Sequence, residues 1–152
     1  MIPHSGKPFL VLLVEDNDDH AELVIRSLEE HRVANHLIRL SNGEEALDYL
    51  HRTGQYSDPV SSPYPDLILL DLRLPKIDGL EVLRQIKESE NLRNIPVVIM
   101  TSSGAERDIS MAYDQHANSY VVKPVDFLGF TKMMEDLGFY WLGWNAKPFE
   151  KP

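Results

Sequence analysis

Five short apolar runs punctuate the chain: FLVLLV (Phe9 to Val14), HLIRL (His36 to Leu40), LILLD (Leu67 to Asp71), PVVIMT (Pro96 to Thr101) and SYVVK (Ser119 to Lys123). Their β-rich composition predicts strands. Between them the spacing of apolar positions switches to the helical period. Ala21, Val24, Ile25 and Leu28 share one face behind Asn17 and Asp18 as candidate caps, and Leu80, Leu83 and Ile86 follow Gly79 in the same way. A last helical stretch carries Phe127, Phe130, Met134, Leu137 and Trp141 at steps of three and four, a stripe that needs burial. Strands alternating with helices predict βαβ units and a mostly parallel sheet, the α/β class.

Two segments fall outside that rhythm. RTGQYSDPVSSPYPD, ahead of the third strand, is rich in Pro, Ser and Gly and reads as a long surface loop within one domain. The tail GFYWLGWNAKPFEKP, from Gly138 onward, is aromatic and then bounded by proline.

Composition narrows the class. The chain has 152 residues, no cysteine and no apolar run near the ~18 residues that span a bilayer, so one soluble domain without disulfides is expected. The apolar run near the N-terminus ends in acids, unlike a secretory signal, which gives the expectation of a cytoplasmic protein. A net charge of −9 with fifteen scattered basic residues argues against nucleic acid as a partner. The six histidines show no paired metal spacing.

In an open parallel sheet, functional groups gather at the carboxyl ends of the strands. Here those ends supply Glu15 and Asp16, Asp71, Thr101 and Lys123. Taken singly, each has a plain reading: an acidic helix start, a turn residue, an ordinary strand end, a loop lysine. Arriving together at successive strand ends, they describe a site. Two unit charges ~4 Å apart cost roughly 4 kcal/mol at an effective dielectric near 20, so the carboxylates need an offsetting charge. A hard divalent cation such as Mg²⁺ supplies it, and Lys123 can pair with Asp71.

These residues resemble the receiver domain of two-component response regulators, over roughly Phe9 to Leu137. The resemblance rests on the acidic pair Glu15 and Asp16, on DLRLPKIDG from Asp71, on TSS from Thr101, and on YVVKP from Tyr120. It implies a flavodoxin-like, doubly wound five-stranded parallel sheet, strand order 2-1-3-4-5, with helices on both faces. Residues 1–8 are then an N-terminal arm, 9–137 the receiver, and 138–152 an aromatic extension. Asp71 would be the phosphoacceptor, taking a phosphoryl group from a sensor histidine kinase. Asp16, Asp71 and the main-chain carbonyl of Arg73 would hold Mg²⁺, or alternatively Mn²⁺, with Glu15 acting through water. Lys123 would neutralise phosphoryl charge, Thr101 and Tyr120 would form a switch pair, Pro75 and Gly79 would shape the turn, and the Lys123–Pro124 peptide would be cis. Such a protein is a phosphoacceptor that catalyses its own transfer and dephosphorylation, not an enzyme in the usual sense. Arg73 and Ser102 depart from the commonest residues at positions beside the path of attacking water.

The long loop, the phrase NIPVVIMTSS and the aromatic tail are further similar to small single-domain regulators paired with bacterial phytochrome histidine kinases. That likeness implies a phytochrome-type kinase partner, an unknown downstream protein reached by protein contact, and a homodimer. Phe139, Tyr140, Trp141, Trp144 and Phe149 would supply its aromatic anchors. Other classes fit less well: the EDNDD loop repels the phosphate a flavodoxin cradles, and no G-x-x-x-x-G-K-[ST] occurs. An aspartyl-phosphate hydrolase usually wants an acid where this chain has Arg73. The remaining alternative is a receiver-fold scaffold or phosphate sink.

Overall fold

The computed structural model describes residues 10–30, 36–101 and 119–122, together with the helical positions Ile109, Met111, Tyr113, Asp114 and Lys132; for Ser27, Glu30, Thr101 and 119–122 the backbone alone is described. The elements run β1 (Leu10–Val14), α1 (Asp18–Glu30), β2 (His36–Leu40), α2 (Gly43–His51), a 3-10 turn (Gly54–Tyr56), β3 (Leu67–Leu70), α3 (Gly79–Glu88), β4 (Val97–Thr101) and β5 (Ser119–Val122). All strand pairs are parallel and the sheet order is β2-β1-β3-β4-β5. This is the expected doubly wound arrangement. Each predicted strand is present; Asp71 and Pro96 fall one residue outside β3 and β4, and Phe9 and Lys123 lie outside the described residues. Pro96 lies just outside β4, where its missing N–H costs nothing, while its carbonyl accepts the Ile68 N–H at 3.0 Å.

Alternation along the strands divides the core. Leu12, Val14, Ile68, Leu70, Val97 and Ile99 pack with Ala46, Leu47, Leu50, Val82, Leu83 and Ile86 of α2 and α3. Val11, Leu13, Leu67, Leu69, Val98 and Met100 pack with Ala21, Val24 and Leu28 of α1. Helices therefore cover both faces, and β1 and β3 are buried along their whole length. Each large aliphatic side chain so buried contributes about 1.5–3 kcal/mol, which makes these two strands stiff supports for whatever follows them.

The helices differ from expectation in detail. Asn17 caps α1, its Oδ1 accepting the His20 N–H at 2.9 Å. Ala21, Val24 and Leu28 are buried, with Ile25 at the rim of the stripe. In α3 the buried stripe is Val82, Leu83 and Ile86, and Leu80 is only half-buried. A stripe at steps of one, three and four fits the 3.6-residue turn better than two steps of three. The stretch from Arg52 to Asp66 is the expected surface loop, mostly exposed, and it is fastened at several points. Tyr49 of α2 donates to the Pro63 carbonyl at 2.6 Å, Ser62 is buried, and the Arg52 guanidinium lies 3.8 Å from the centre of the Tyr64 ring.

Candidate functional site

Register brings the acids together. Val14 of β1 lies opposite both Leu40 of β2 and Leu70 of β3, so these three strands end level. The next residues, Glu15 and Asp71, therefore leave the sheet side by side. Ladder-like bonds continue one step further: the Asp71 N–H donates to the Val14 carbonyl and the Glu15 N–H to the Leu40 carbonyl, both at 3.0 Å. The backbones of two carboxylates are thus fixed by the sheet itself.

One carboxylate oxygen from each of Glu15, Asp16 and Asp71 lies within 4.8 Å of the others. Glu15 is 1% exposed and Asp71 7%, while Asp16 is open to solvent. Among the described residues the cluster therefore has a buried floor and one exposed wall, on the side of Asp16. At this separation each pair of full charges repels by roughly 3–4 kcal/mol at an effective dielectric near 20. A donor set made only of carboxylate oxygens, hard and anionic, suits a small divalent cation and not a soft metal.

Local hydrogen bonds aim these side chains. Asp71 Oδ1 accepts the Arg73 N–H at 3.1 Å, and Glu15 Oε2 accepts the Asn17 N–H at 3.2 Å. Both are side-chain turns two residues long, which hold a carboxylate over its own loop. The segment after Asp71 is tied down as well. The Gly79 N–H donates to the Leu72 carbonyl at 3.0 Å, and a Cβ at Gly79 would stand 2.3 Å from the Asp71 carbonyl oxygen. Only glycine lets α3 start this close to Asp71. Lys76 carries a left-handed φ of 69°, bridged by the Ile77 N–H donating to Pro75 O at 2.9 Å. That tight turn is strained for a residue with a side chain. It is braced from α2 by the Gly43 N–H on the Pro75 carbonyl at 3.3 Å and by a Lys76–Glu44 ion pair at 3.4 Å.

Of the residues expected at the site, the structure therefore joins Glu15, Asp16 and Asp71, and places the Arg73 backbone against Asp71. Thr101 ends β4 opposite Val122, and Tyr120 lies in β5 opposite Ile99, but their side chains are outside the described residues. So are Lys123, the Lys123–Pro124 peptide, the stripe from Phe127 to Trp141, and Phe139, Tyr140, Trp144 and Phe149 of the tail. Sequence reasoning missed Arg39. Its Nε and one terminal nitrogen donate to the Glu15 carbonyl at 3.0 and 2.8 Å, and the other terminal nitrogen pairs with Asp18 at 2.9 Å. An arginine two from the end of a strand run is an ordinary edge charge, and nothing in the local pattern announces its contacts.

Among the described residues no helix is long and apolar enough to cross a membrane. Residues 11–135 match the family described as the response regulator receiver domain. The chain is 48% identical over 143 residues to "Probable methanogenesis regulatory protein FilR2" of Methanothrix harundinacea, spanning 93% of this chain and 88% of that one. Response regulator Rcp1 of Synechocystis sp. is 39% identical over 142 residues, covering 93% of this chain and 95% of Rcp1. The solved Mn(2+)-bound form of Rcp1 superposes with a TM-score of 0.88, covering 93% of this chain and 99% of that one. The phosphorylated cyanobacterial phytochrome response regulator RcpA is 36% identical with a TM-score of 0.88, over 93% of this chain and 99% of RcpA. Level strand ends, three converging carboxylates and these likenesses agree: the chain belongs to the response regulator receiver domain family.

Proposed function

We propose that Asp71 is the phosphoacceptor of this receiver and that it works with a divalent cation, Mg²⁺ by preference, held at Asp16, Asp71 and the Arg73 main-chain carbonyl, with Glu15 acting through water. The observation that carries the reading is the convergence of Glu15, Asp16 and Asp71 within 4.8 Å on a rigid sheet edge. Bound there, the cation offsets carboxylate repulsion and draws charge from a phosphoryl group. In the transfer itself, an Asp71 carboxylate oxygen attacks phosphorus, the phosphorus–nitrogen bond of a phosphohistidine breaks, and the imidazole takes up a proton. The sheet and the Arg73 N–H hold that carboxylate in place, and the same site later admits the water that removes the group. Lys123 neutralises charge on the phosphoryl oxygens, and Thr101 and Tyr120 relay its presence to the β4–β5 side of the domain.

The donor is a sensor histidine kinase, and similarity to RcpA favours a phytochrome-type one. Output passes to a downstream protein by contact, in the cytoplasm. Residues 138–152 form an extension to the receiver at 9–137, and its Phe139, Tyr140, Trp141, Trp144 and Phe149 build a homodimer; a chain ending at Leu137 then sediments as a monomer where the full chain sediments as a dimer.

Incubation with Mg²⁺ and acetyl phosphate tests the central reading. Intact mass should show gain of one phosphoryl group in the parent protein and none in Asp71→Asn. An unmodified parent would leave the unphosphorylated scaffold, and an adduct that persists in Asp71→Asn would move the acceptor elsewhere.

A further inference from the structure

Arg39 stands on β2, at the edge of the sheet, 24 residues from Glu15 in sequence, and its whole guanidinium is engaged. Two nitrogens converge on the Glu15 carbonyl, and the third pairs with Asp18 in the first turn of α1. The adjoining residue, Leu40, receives the Glu15 N–H. The end of β2 therefore grips both backbone groups of Glu15. Because a peptide unit is planar, holding the Glu15 carbonyl also sets the plane from which Asp16 departs. Charge-assisted bonds of this kind are about twice as strong as neutral ones.

We propose that Arg39 is a positioning residue: it fixes the peptide joining Glu15 to Asp16 and the start of α1, and so presents both carboxylates to Asp71 for cation binding. The proposal deepens the reading of this cluster as a cation-assisted phosphoryl site and rests on it for its metal half. Arg39 has a competing electrostatic effect of opposite sign. It is a cation beside a cation site, so if charge were its whole influence, removing it would tighten metal binding. Its pairing with Asp18 offsets that repulsion, which leaves the geometric role dominant.

The test uses the full chain as parent, Arg39→Lys and Arg39→Ala, with two readouts. The first is Mn²⁺ affinity, from the electron paramagnetic resonance signal of the free ion. The second is amide exchange at Glu15 and Asn17, whose N–H groups donate to the Leu40 carbonyl and to Glu15 Oε2, in metal-free protein. Lysine keeps the charge but cannot place two donors on one carbonyl and a third on Asp18. Arg39→Lys should therefore weaken Mn²⁺ binding about tenfold, the usual scale for groups that orient metal ligands. Arg39→Ala should weaken it at least as much, and exchange at both amides should quicken in each variant. Unchanged affinity in Arg39→Lys with tighter binding in Arg39→Ala would overturn the positioning role in favour of charge alone. Unchanged exchange in both variants would overturn the clamp. If the parent binds no Mn²⁺ while exchange still quickens in the variants, the cation reading falls and the clamp stands. Should Arg39→Ala fail to fold, Arg39→Lys decides the matter by itself.

Discussion

On α3 the carboxylates of Glu81 and Glu88 flank Arg84; at the carboxyl edge of the sheet those of Glu15, Asp16 and Asp71 flank one another. Glu81 accepts from Arg84 Nε and Gln85 Nε2 at 2.9 Å each and from a terminal nitrogen of Arg84, whose other terminal nitrogen reaches Glu88 at 2.8 Å. Hydrogen bonds from Arg84, then Gln85, hold the Glu81 carboxyl down at about 2, and hydrogen bonds to Glu81, then Glu88, raise Arg84. The helix-surface acids have their counter-charge within one turn of chain, half exposed to water, where it adds modestly to stability. The strand-end acids are gathered from two separate stretches of chain, the ends of β1 and β3, and repel one another there. Acids matched locally belong to the scaffold, whereas acids assembled from afar against their own repulsion mark a place for something else to bind.

The contrast breaks most severely at Gly79. Alanine there must place its Cβ 2.3 Å from the Asp71 carbonyl oxygen and 2.7 Å from that of Leu72, both backbone atoms that cannot swing aside. Gly79→Ala should cost about 3 kcal/mol in urea unfolding, the upper part of the range for overpacking. A cost under about 1 kcal/mol, within the reach of an ordinary helix substitution, would show that the loop after Asp71 yields.

A smaller effect sharpens the other side. Asp71→Asn keeps an Oδ1 acceptor for the Arg73 N–H but removes one of the three facing charges. In metal-free buffer it should gain about 1–2 kcal/mol, part of the pairwise repulsion after solvent screening. The parent should recover about 2.7 kcal/mol at a Mg²⁺ concentration a hundredfold above its Kd, a rise of roughly 5–10 °C in Tm, and the variant should recover almost none. Differential scanning calorimetry with EDTA and with Mg²⁺ reads both, and an equal rise in the two proteins would place the cation elsewhere.

The smallest effect belongs to Arg84. Because the folded-state value of Glu81 is depressed from 4.5 to about 2, the stability it contributes is whole above pH 4.5 and disappears as pH falls through 2. Arg84→Ala should lower Tm by about 1–2 °C at pH 7, as expected of exposed pairs, and its curve should merge with that of the parent as pH falls toward 2. A difference that grows on acidification would contradict this account of Glu81.

What could be read along the chain tracks the range of the interaction. Strand runs such as LILLD and the cap at Asn17 depend on neighbours a few residues away, and they were legible. So was the set Glu15, Asp16 and Asp71, because parallel strands deliver their carboxyl ends to one edge whatever their exact register. Arg39 was not, since its fork on Glu15 depends on how β2 lies against β1. Val82 was overlooked in favour of Leu80 because only the turn angle of α3 against the sheet decides which of them is covered. The Pro, Ser and Gly content of Arg52 to Asp66 predicts a surface loop but does not announce that Tyr49 of α2 and Arg52, just past the end of that helix, fasten it.

That fastening bears on how the domain tolerates change. Arg52, in the left-handed conformation with φ 57°, closes α2 through its N–H and holds the following segment through its side chain at Ser62 and Tyr64. Tyr56 and Ser62 secure the two shoulders, and between them Val60 stands 87% exposed. A peptide tag or a small inserted module spliced beside Val60 would pay chiefly the entropy of a longer loop, which rises slowly with length. The domain thus carries a graft point of its own, on the loop that enters β3 at the end opposite Asp71.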